Sequence, residues 1–384
     1  MKKKILFSIT NLIGGGAEKI LLDTVKAMDK TKYDVYVFSL LNEGIYTEEI
    51  KKYTTHFYAF NLEVYPERLR NYIRFLFLRY IKFGKKEKLY KKYIHGEYDY
   101  EIAFLEGPVT RLIAGSKSKA QKYAWVHVDL LKLPDSNKYY RSKEEAKECY
   151  NSYNKILCVS SDVKTSFLKI YDVSKENVQV QLNVLDTNKI LNSIKNVTEY
   201  KVQTPFNLIT VGRLSPQKGY DRLLKCCVRL KEDKLTFKLK IVGTGLLKDT
   251  YQKFIDDNKL NKYVELTGFI DNPYPLLKNS DLFVCSSLTE GFSTVVSEAI
   301  FLGTPVLTTD CAGMKDILGD SEFGLIVENN ENGLYEGLKQ LLMDKDKLNE
   351  LRKKAVERSP FFDLQARLHE FDSLFEKGNE YEGY

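Results

Sequence analysis

Histidine is scarce in this chain. Its 384 residues hold four, His56, His95, His127 and His369, too scattered for a histidine-rich metal site to be expected. The six cysteines, Cys149, Cys158, Cys226, Cys227, Cys285 and Cys311, form no CxxC pair. Several lie in apolar runs, so they read as reduced core residues of a reducing compartment. No apolar run reaches the roughly 18 uninterrupted residues of a transmembrane helix. The N-terminal MKKKILFSIT has the look of a signal peptide, but Thr10 and Asn11 break it and no clean small-residue cleavage site follows. The expected location is cytoplasmic. A large charge excess is also missing: 59 basic and 52 acidic groups leave +7. That permits attraction to polyphosphate ligands or to an anionic membrane surface. No motif supports nucleic acid as a partner.

What is present is the balance of a folded protein, 43% hydrophobic and 29% charged. At roughly 150 residues per domain the length suggests two domains. Residues 4–10 read as an apolar strand, Gly14-Gly15-Gly16 as a turn, and Ala17, Ile20, Leu21, Thr24, Val25 and Met28 as one helical face. A second strand is expected over 33–40, the opening of a parallel α/β domain. Further strands are expected at 56–60, 100–105, 123–128, 155–160 and 178–182. The pattern weakens over 185–204, the candidate linker. A second α/β pattern follows, with strands at 206–211, 238–242, 264–267, 282–285, 305–308 and 324–327 and helices between them. The fold class is α/β, two βαβ domains at 1–190 and 200–358, with the cleft between them as the default site. Pro360 interrupts the last long helix. Beyond it Phe361, Leu364, Leu368, Phe371 and Phe375 recur every three to four residues, so a final helix over 362–375 has an apolar face to bury.

Several loops carry residues suited to chemistry. The Gly14-Gly15-Gly16 turn before a helix suits close backbone approach to a phosphate or hydroxyl, or is a plain connection; it is not a dinucleotide fingerprint. In Gly212-Arg213-Leu214-Ser215-Pro216-Gln217-Lys218-Gly219, a planar fork and a point charge stand five residues apart. That pair suits a diphosphate; a solvated basic loop is the other reading. Gly243-Thr244-Gly245 ends another strand and is a weaker signal. In Glu290-Gly291-Phe292-Ser293-Thr294-Val295-Val296-Ser297-Glu298, one acid follows a buried strand and the second lies within an apolar helix, where it requires a partner. His127 closes the expected strand 123–128, either at the cleft or as a satisfied structural histidine.

Together these residues resemble the retaining glycosyltransferases of family 4, the glycosyl transferases group 1, with the two-lobed GT-B fold. The resemblance spans nearly the whole chain and is strongest over 206–329. It rests on Gly14-Gly15-Gly16-Ala17-Glu18, on GRLSPQKG with Arg213 and Lys218, on EGFSTVVSEAIFLGTPVLTTD with Glu290 and Glu298, on WVHVD with His127, and on FGLIVEN. Asn183 matches only loosely. The resemblance implies two Rossmann-like domains facing across a cleft, acceptor-binding at 1–190 and donor-binding at 200–358, with the helix 362–375 packing back on the first. It implies retaining transfer from a nucleotide-diphosphate sugar, a UDP-sugar foremost. Arg213 and Lys218 would neutralise the diphosphate, Glu298 hold the ribose and Glu290 the sugar. Thr294 and its neighbours Gly291, Phe292 and Ser293 would present backbone amides, with Gly212 and Gly243 beside them. Gly15 and Gly16 would close on the donor, and His127 would touch the sugar near its reactive carbon. No metal or cofactor is implied.

One segment speaks without the family. Residues 66–95 carry Arg68, Arg70, Arg74, Arg79, Lys82, Lys85, Lys86, Lys88, Lys91 and Lys92 against Glu67 and Glu87. Leu69, Tyr72, Ile73, Leu76, Phe77, Tyr80 and Ile81 interleave at helical spacing. A helix over 66–83 that is basic and aromatic reads as membrane-surface binding, with Arg74, Arg79, Lys82, Lys85 and Lys86 facing an acceptor or an anionic leaflet. The other reading packs its apolar face on the first domain. On the first reading the acceptor is a polyprenyl-linked saccharide, as in envelope or capsule assembly, and the protein is peripheral on the inner face of the plasma membrane. Two rival functions stand beside the transferase: a non-catalytic partner or saccharide-binding subunit of the same fold, and a nucleotide-sugar epimerase.

Overall fold

The structure is a computed structural model that describes residues 1–133, 138–195 and 205–376. The chain divides into two compact units, Met1–Val184 with the chain from Leu368 onward, and Leu185–Arg367.

The first unit is built on seven strands: β1 Lys3–Ile9, β2 Tyr33–Asn42, β3 Thr55–Asn61, β4 Tyr100–Ala103, β5 Gln121–Val126, β6 Lys155–Cys158 and β7 Val178–Val180. They pair in parallel in the order β3-β2-β1-β4-β5-β6-β7. In β1, Ile5, Leu6, Phe7, Ser8 and Ile9 are all fully buried. That is why it reads as an unbroken apolar run: a parallel strand is covered on both faces.

The helix Leu364–Glu376 places its C-terminal part in this unit. The Phe375 ring meets Tyr33, Tyr100 and Tyr123, with the Tyr100 centroid 4.9 Å away. Phe371 stacks on Phe7 and Trp125. The hydroxyls of Tyr100 and Tyr123 donate to the carbonyls of Phe375 and Leu374, at 2.7 and 3.0 Å. These bonds satisfy carbonyls that the last turn of a helix leaves without partners. The first unit is therefore discontinuous in sequence.

The second unit has β8 Phe206–Val211, β9 Phe237–Val242, β10 Val264–Gly268, β11 Leu282–Cys285, β12 Val306–Thr309 and β13 Leu325–Val327. Their order is β10-β9-β8-β11-β12-β13, again parallel. The helix Tyr220–Glu232 buries Leu223, Leu224, Cys227 and Leu230 in a core shared with Leu239, Ile241 and Leu338. All six cysteines are free and buried.

The strands fall where the sequence places them, within a few residues. Three features differ. The division comes at 184/185 rather than 190. Within the expected linker a helix forms, Thr187–Ser193, whose first turn is capped by the Asp186 side chain accepting from Lys189 N–H at 2.9 Å. Residues 196–204 of that linker lie outside the described residues.

The basic helix is the third difference. It runs Glu67–Phe83, as expected; what differs is that a second helix, Lys86–Tyr93, follows the break at Gly84, and which side chains are covered. Guanidinium groups account for the stop. Arg111, only 1% exposed, donates to the carbonyls of Ile81 and Gly84, and Arg141 to those of Phe83 and Gly84. Cations at a helix C-terminus also complement its dipole. The apolar stripe is split as well. Phe77 and Ile81 are buried, whereas Leu69, Tyr72, Phe75, Leu76, Tyr80 and Phe83 remain 43% to 63% exposed. Two of the five cations expected to face outward turn inward. Arg74 forks onto Glu43, with bonds of 3.1 and 2.6 Å, and the Lys86 ammonium lies 3.9 Å from Cys149 Sγ.

Candidate active site

In an open parallel sheet, ligands bind beyond the carboxyl ends of the strands where the strand order reverses. The second sheet reverses between β8 and β11, and the first between β1 and β4. The loops leaving those four strands hold most of the residues singled out from sequence.

In the second unit the loops after β8 and β11 are zipped together. Leu288 N–H donates to Gln217 O at 2.8 Å, Gln217 Nε2 to Thr289 O at 3.0 Å, and Ser286 Oγ to Lys218 O at 2.8 Å. The result brings Lys218 and Glu290 into contact, Nζ to Oε1 at 2.7 Å, and the Ser287 hydroxyl adds a 2.6 Å bond to the same oxygen. Burial by itself would lower the lysine pKa, but the facing Glu290 carboxylate more than offsets it, so the ammonium is held above its ordinary value. Lys218 and Glu290, expected to serve different parts of the donor, thus hold each other. Arg213 is exposed on the same loop, and among the described residues no hydrogen bond or ion pair holds its side chain. Gly243 leaves β9 at φ +142°, and a Cβ there would stand 2.0 Å from the carbonyl oxygen of Gly212. Glycine is what lets those two loops touch.

Glu298 is 4% exposed on the helix Thr294–Phe301. The partner it requires is Tyr274, whose hydroxyl donates to Oε1 at 3.1 Å. Gly291, Phe292 and Ser293 are buried ahead of that helix, and Ser293 caps it without its hydroxyl accepting an amide. The first-turn amides from Thr294 onward therefore start a helix without a side-chain cap, a favourable place for an anion.

In the first unit, Gly15 is the cap of the helix Gly16–Ala27 and makes no side-chain cap bond. Of the three glycines only Gly14, at φ +102°, needs to be glycine for its backbone; around Gly16 there is open space. His127 lies just past β5. Its ring sits 4.9 Å from Phe104 and 5.8 Å from Trp125, centroid to centroid. Burial pushes its pKa down to about 3, against the opposing effect of a hydrogen bond with the Phe104 backbone. The ring is neutral, and Nε2 is enclosed without a partner. A neutral histidine in that state offers a lone pair to a donor. Asn183, after β7, is also buried, with Oδ1 unpartnered.

Sequence reasoning missed four residues that shape these loops. Ser287 and Tyr274 partner the two acids. Arg222, 6% exposed, donates to the carbonyls of Ser286 and Ser287 at 2.6 to 2.9 Å and so props the loop that carries Glu290. Glu106 bonds the backbone at His127. Only Glu106 left a signal, an acid directly after an apolar strand and before Gly107-Pro108. Among the described residues no group of three His, Cys, Asp or Glu side chains could hold a metal ion, and no helix is long and apolar enough to cross a membrane.

The comparisons with known proteins bear on the family and the fold. The family model described as "Glycosyl transferases group 1" matches residues 195–358. The chain is 29% identical over 368 residues to an N-acetylgalactosamine-N,N'-diacetylbacillosaminyl-diphospho-undecaprenol 4-alpha-N-acetylgalactosaminyltransferase of Campylobacter jejuni, covering 94% of this chain and 96% of that protein. It is 26% identical to a poly(ribitol-phosphate) alpha-N-acetylglucosaminyltransferase of Staphylococcus aureus, over 63% of this chain and 48% of that protein. Among solved structures, Anabaena HepE in complex with UDP-glucose superposes with a TM-score of 0.75 at 18% identity, covering 97% of this chain and 99% of that one. That likeness shows the fold, GT-B with two Rossmann-like α/β domains.

Proposed function

Starting from the glycosyl transferases group 1, to which the chain belongs, we propose that this glycosyltransferase moves a sugar from a UDP-sugar to a saccharide on a polyprenyl diphosphate, with retention of configuration, in envelope or capsular polysaccharide synthesis. The observation that carries the reading is the Lys218–Glu290 pair at the reversal of the second sheet, with Arg213 exposed on the same loop. A diphosphate arriving there meets one planar fork and one ammonium, and it competes with Glu290 for Lys218. Glu290 is then released toward the hydroxyls of the transferred sugar. Glu298 takes the ribose, and the amides from Thr294 hold phosphate oxygens. Gly15 and Gly16 offer backbone amides to the donor, and the lone pair of His127 Nε2 accepts a sugar hydroxyl.

Leaving of the nucleotide builds negative charge on the diphosphate and positive charge on the sugar. Preorganised cations at the leaving group supply the main stabilisation. Arg213 and Lys218 fill that role without a metal ion or other cofactor.

The C. jejuni relative is named for a diphospho-undecaprenol acceptor and the S. aureus relative for a poly(ribitol-phosphate). A lipid-linked acceptor fits the first unit here. The exposed Tyr72, Phe75, Leu76, Tyr80 and Phe83 lie on one helix with Arg68, Arg79 and Lys82, and Lys85 and Lys88 follow. Aromatic side chains beside cations suit the headgroup layer of an anionic leaflet, and we place the enzyme peripherally on the cytoplasmic face. Nucleotide release from a panel of nucleotide sugars, with and without membrane extract, tests donor and acceptor together. The product anomer, read by NMR with a chelator present, should keep the donor configuration. An inverted product overturns retention, and activity lost to the chelator overturns metal independence.

A further inference from the structure

Glu106 stands just beyond β4, beside the reversal of the first sheet, and the transfer as described gives it no task. It is 6% exposed. Its Oε1 accepts the backbone N–H groups of both His127 and Val128, the second at 2.9 Å. These are the first two amides beyond β5. The ladder has no further partners for them, because β4 pairing ends at Ala103–Ala124 and β6 pairing at Val126–Cys158. An enclosed amide left unpaired is costly, and one carboxylate oxygen that takes two of them pins the main chain. The His127 ring already packs against Phe104 and Trp125, which also touch each other. The main chain at 127–128 is the remaining freedom in the aim of Nε2, and Glu106 removes it.

We propose that Glu106 is a positioning residue for sugar transfer, fixing the 127–128 main chain and so aiming the unpartnered Nε2 of His127 at the sugar. The inference rests on His127 being a sugar contact, as read above. Burial holds the Glu106 carboxyl up at about 7, against three backbone hydrogen bonds. The titratable groups facing it are His127, Tyr150 on the helix Lys143–Asn151, and Cys158 on β6. Burial takes His127 down to about 3, Cys158 up to about 12 and Tyr150 well above its ordinary value, so none of them changes charge near neutrality. The proton lost there belongs to Glu106. Ionised, it makes two charge-assisted bonds; protonated, the same oxygen accepts them roughly half as strongly.

The test measures UDP release from the most active UDP-sugar of the panel between about pH 5.5 and about 8.5, for the parent, Glu106→Gln, Glu106→Ala, His127→Ala and the double alanine variant. Gln keeps a neutral carbonyl acceptor of the same shape and does not titrate. Parent kcat should rise about fivefold through neutrality, while Glu106→Gln stays flat at the parent's acid plateau with an unchanged KM for the donor. Glu106→Ala should lose about tenfold alone but less than about twofold once His127 is alanine, because the two act as one unit. A Gln variant that still bends near neutrality overturns the proposal. So does a double variant whose loss is the product of the single losses. A normal rate for His127→Ala overturns the sugar contact itself and the positioning role with it.

Discussion

Both units carry their candidate residues beyond the carboxyl ends of parallel strands, yet the residues are held in different ways. In the second unit the acids are answered from within: Glu290 by Lys218 and Ser287, Glu298 by Tyr274. In the first unit polar atoms are left over: Nε2 of His127, Oδ1 of Asn183 and a helix start capped by a glycine that has no side chain. A site for a charged ligand has to hold its own buried charges while empty, and pairing them costs less than burying either one alone. A site for neutral hydroxyls can leave a lone pair waiting. On the proposed function, the second unit would take the diphosphate and the first unit sugar hydroxyls.

The largest effect that should separate the units is thermal. Phe371→Ala empties a fully buried site against Phe7 and Trp125, and such truncations cost about 3–5 kcal/mol. In calorimetry the transition of the first unit should drop, with that of the second unmoved; a drop shared equally by both would erase the distinction. Next comes charge. Lys218→Ala should lower turnover by about 100-fold, the scale of removing one preorganised charge-stabilising donor. Exposed Arg213 should cost at least about tenfold when replaced by Ala, or about 1.4 kcal/mol, with the melting temperature unchanged. Full turnover in both variants would break the contrast on the donor side.

A smaller effect is pH-dependent stability. The folded pKa of Glu106, about 7, lies above its ordinary 4.5. The folded state therefore holds the proton more tightly, and the contribution present below pH 4.5 is lost as pH rises through 7. Chemical denaturation of the first unit should weaken over that interval, and Glu106→Gln should flatten the slope; an unchanged slope would show that another group sets it. The smallest effect sharpens the outer surface of the first unit. Anionic vesicles should retain part of the protein at about 0.5 M salt, because screening removes only the cationic part of the attraction. Replacing Tyr72, Phe75 and Tyr80 by Ser should abolish that residue of binding. Complete release of the parent by salt would leave the exposed aromatics without a role at the membrane.

Strands were the legible part of this chain. Parallel strands buried on both faces read as continuous apolar runs, as in Ile5, Leu6 and Phe7, and no long-range information is needed to see them. Thr187–Ser193 was hidden because a short polar helix carries little periodicity. The split of the apolar stripe between Phe77 and Tyr80 was hidden because helical spacing fixes which residues share a face, not how far a neighbouring element covers it. In the candidate site, Arg213, Lys218, Glu290 and Glu298 stood out as charges on glycine-bounded loops or in an apolar helix. The contact of Lys218 with Glu290 spans 72 residues and depends on β8 lying beside β11. Single-sequence patterns do not carry strand order, so the pairing of those two charges was out of reach.

The helix that begins at Leu364 has a consequence for synthesis. The ribosome makes β1 long before Phe371 and Phe375, yet these rings cover Phe7, Tyr100, Tyr123 and Trp125. During translation the first unit therefore waits, with its sheet formed and an aromatic face unsheathed, while residues 185 to 367 emerge. A nascent chain stalled before residue 368 should carry a sticky surface that the finished one lacks, and it is a natural client for a chaperone.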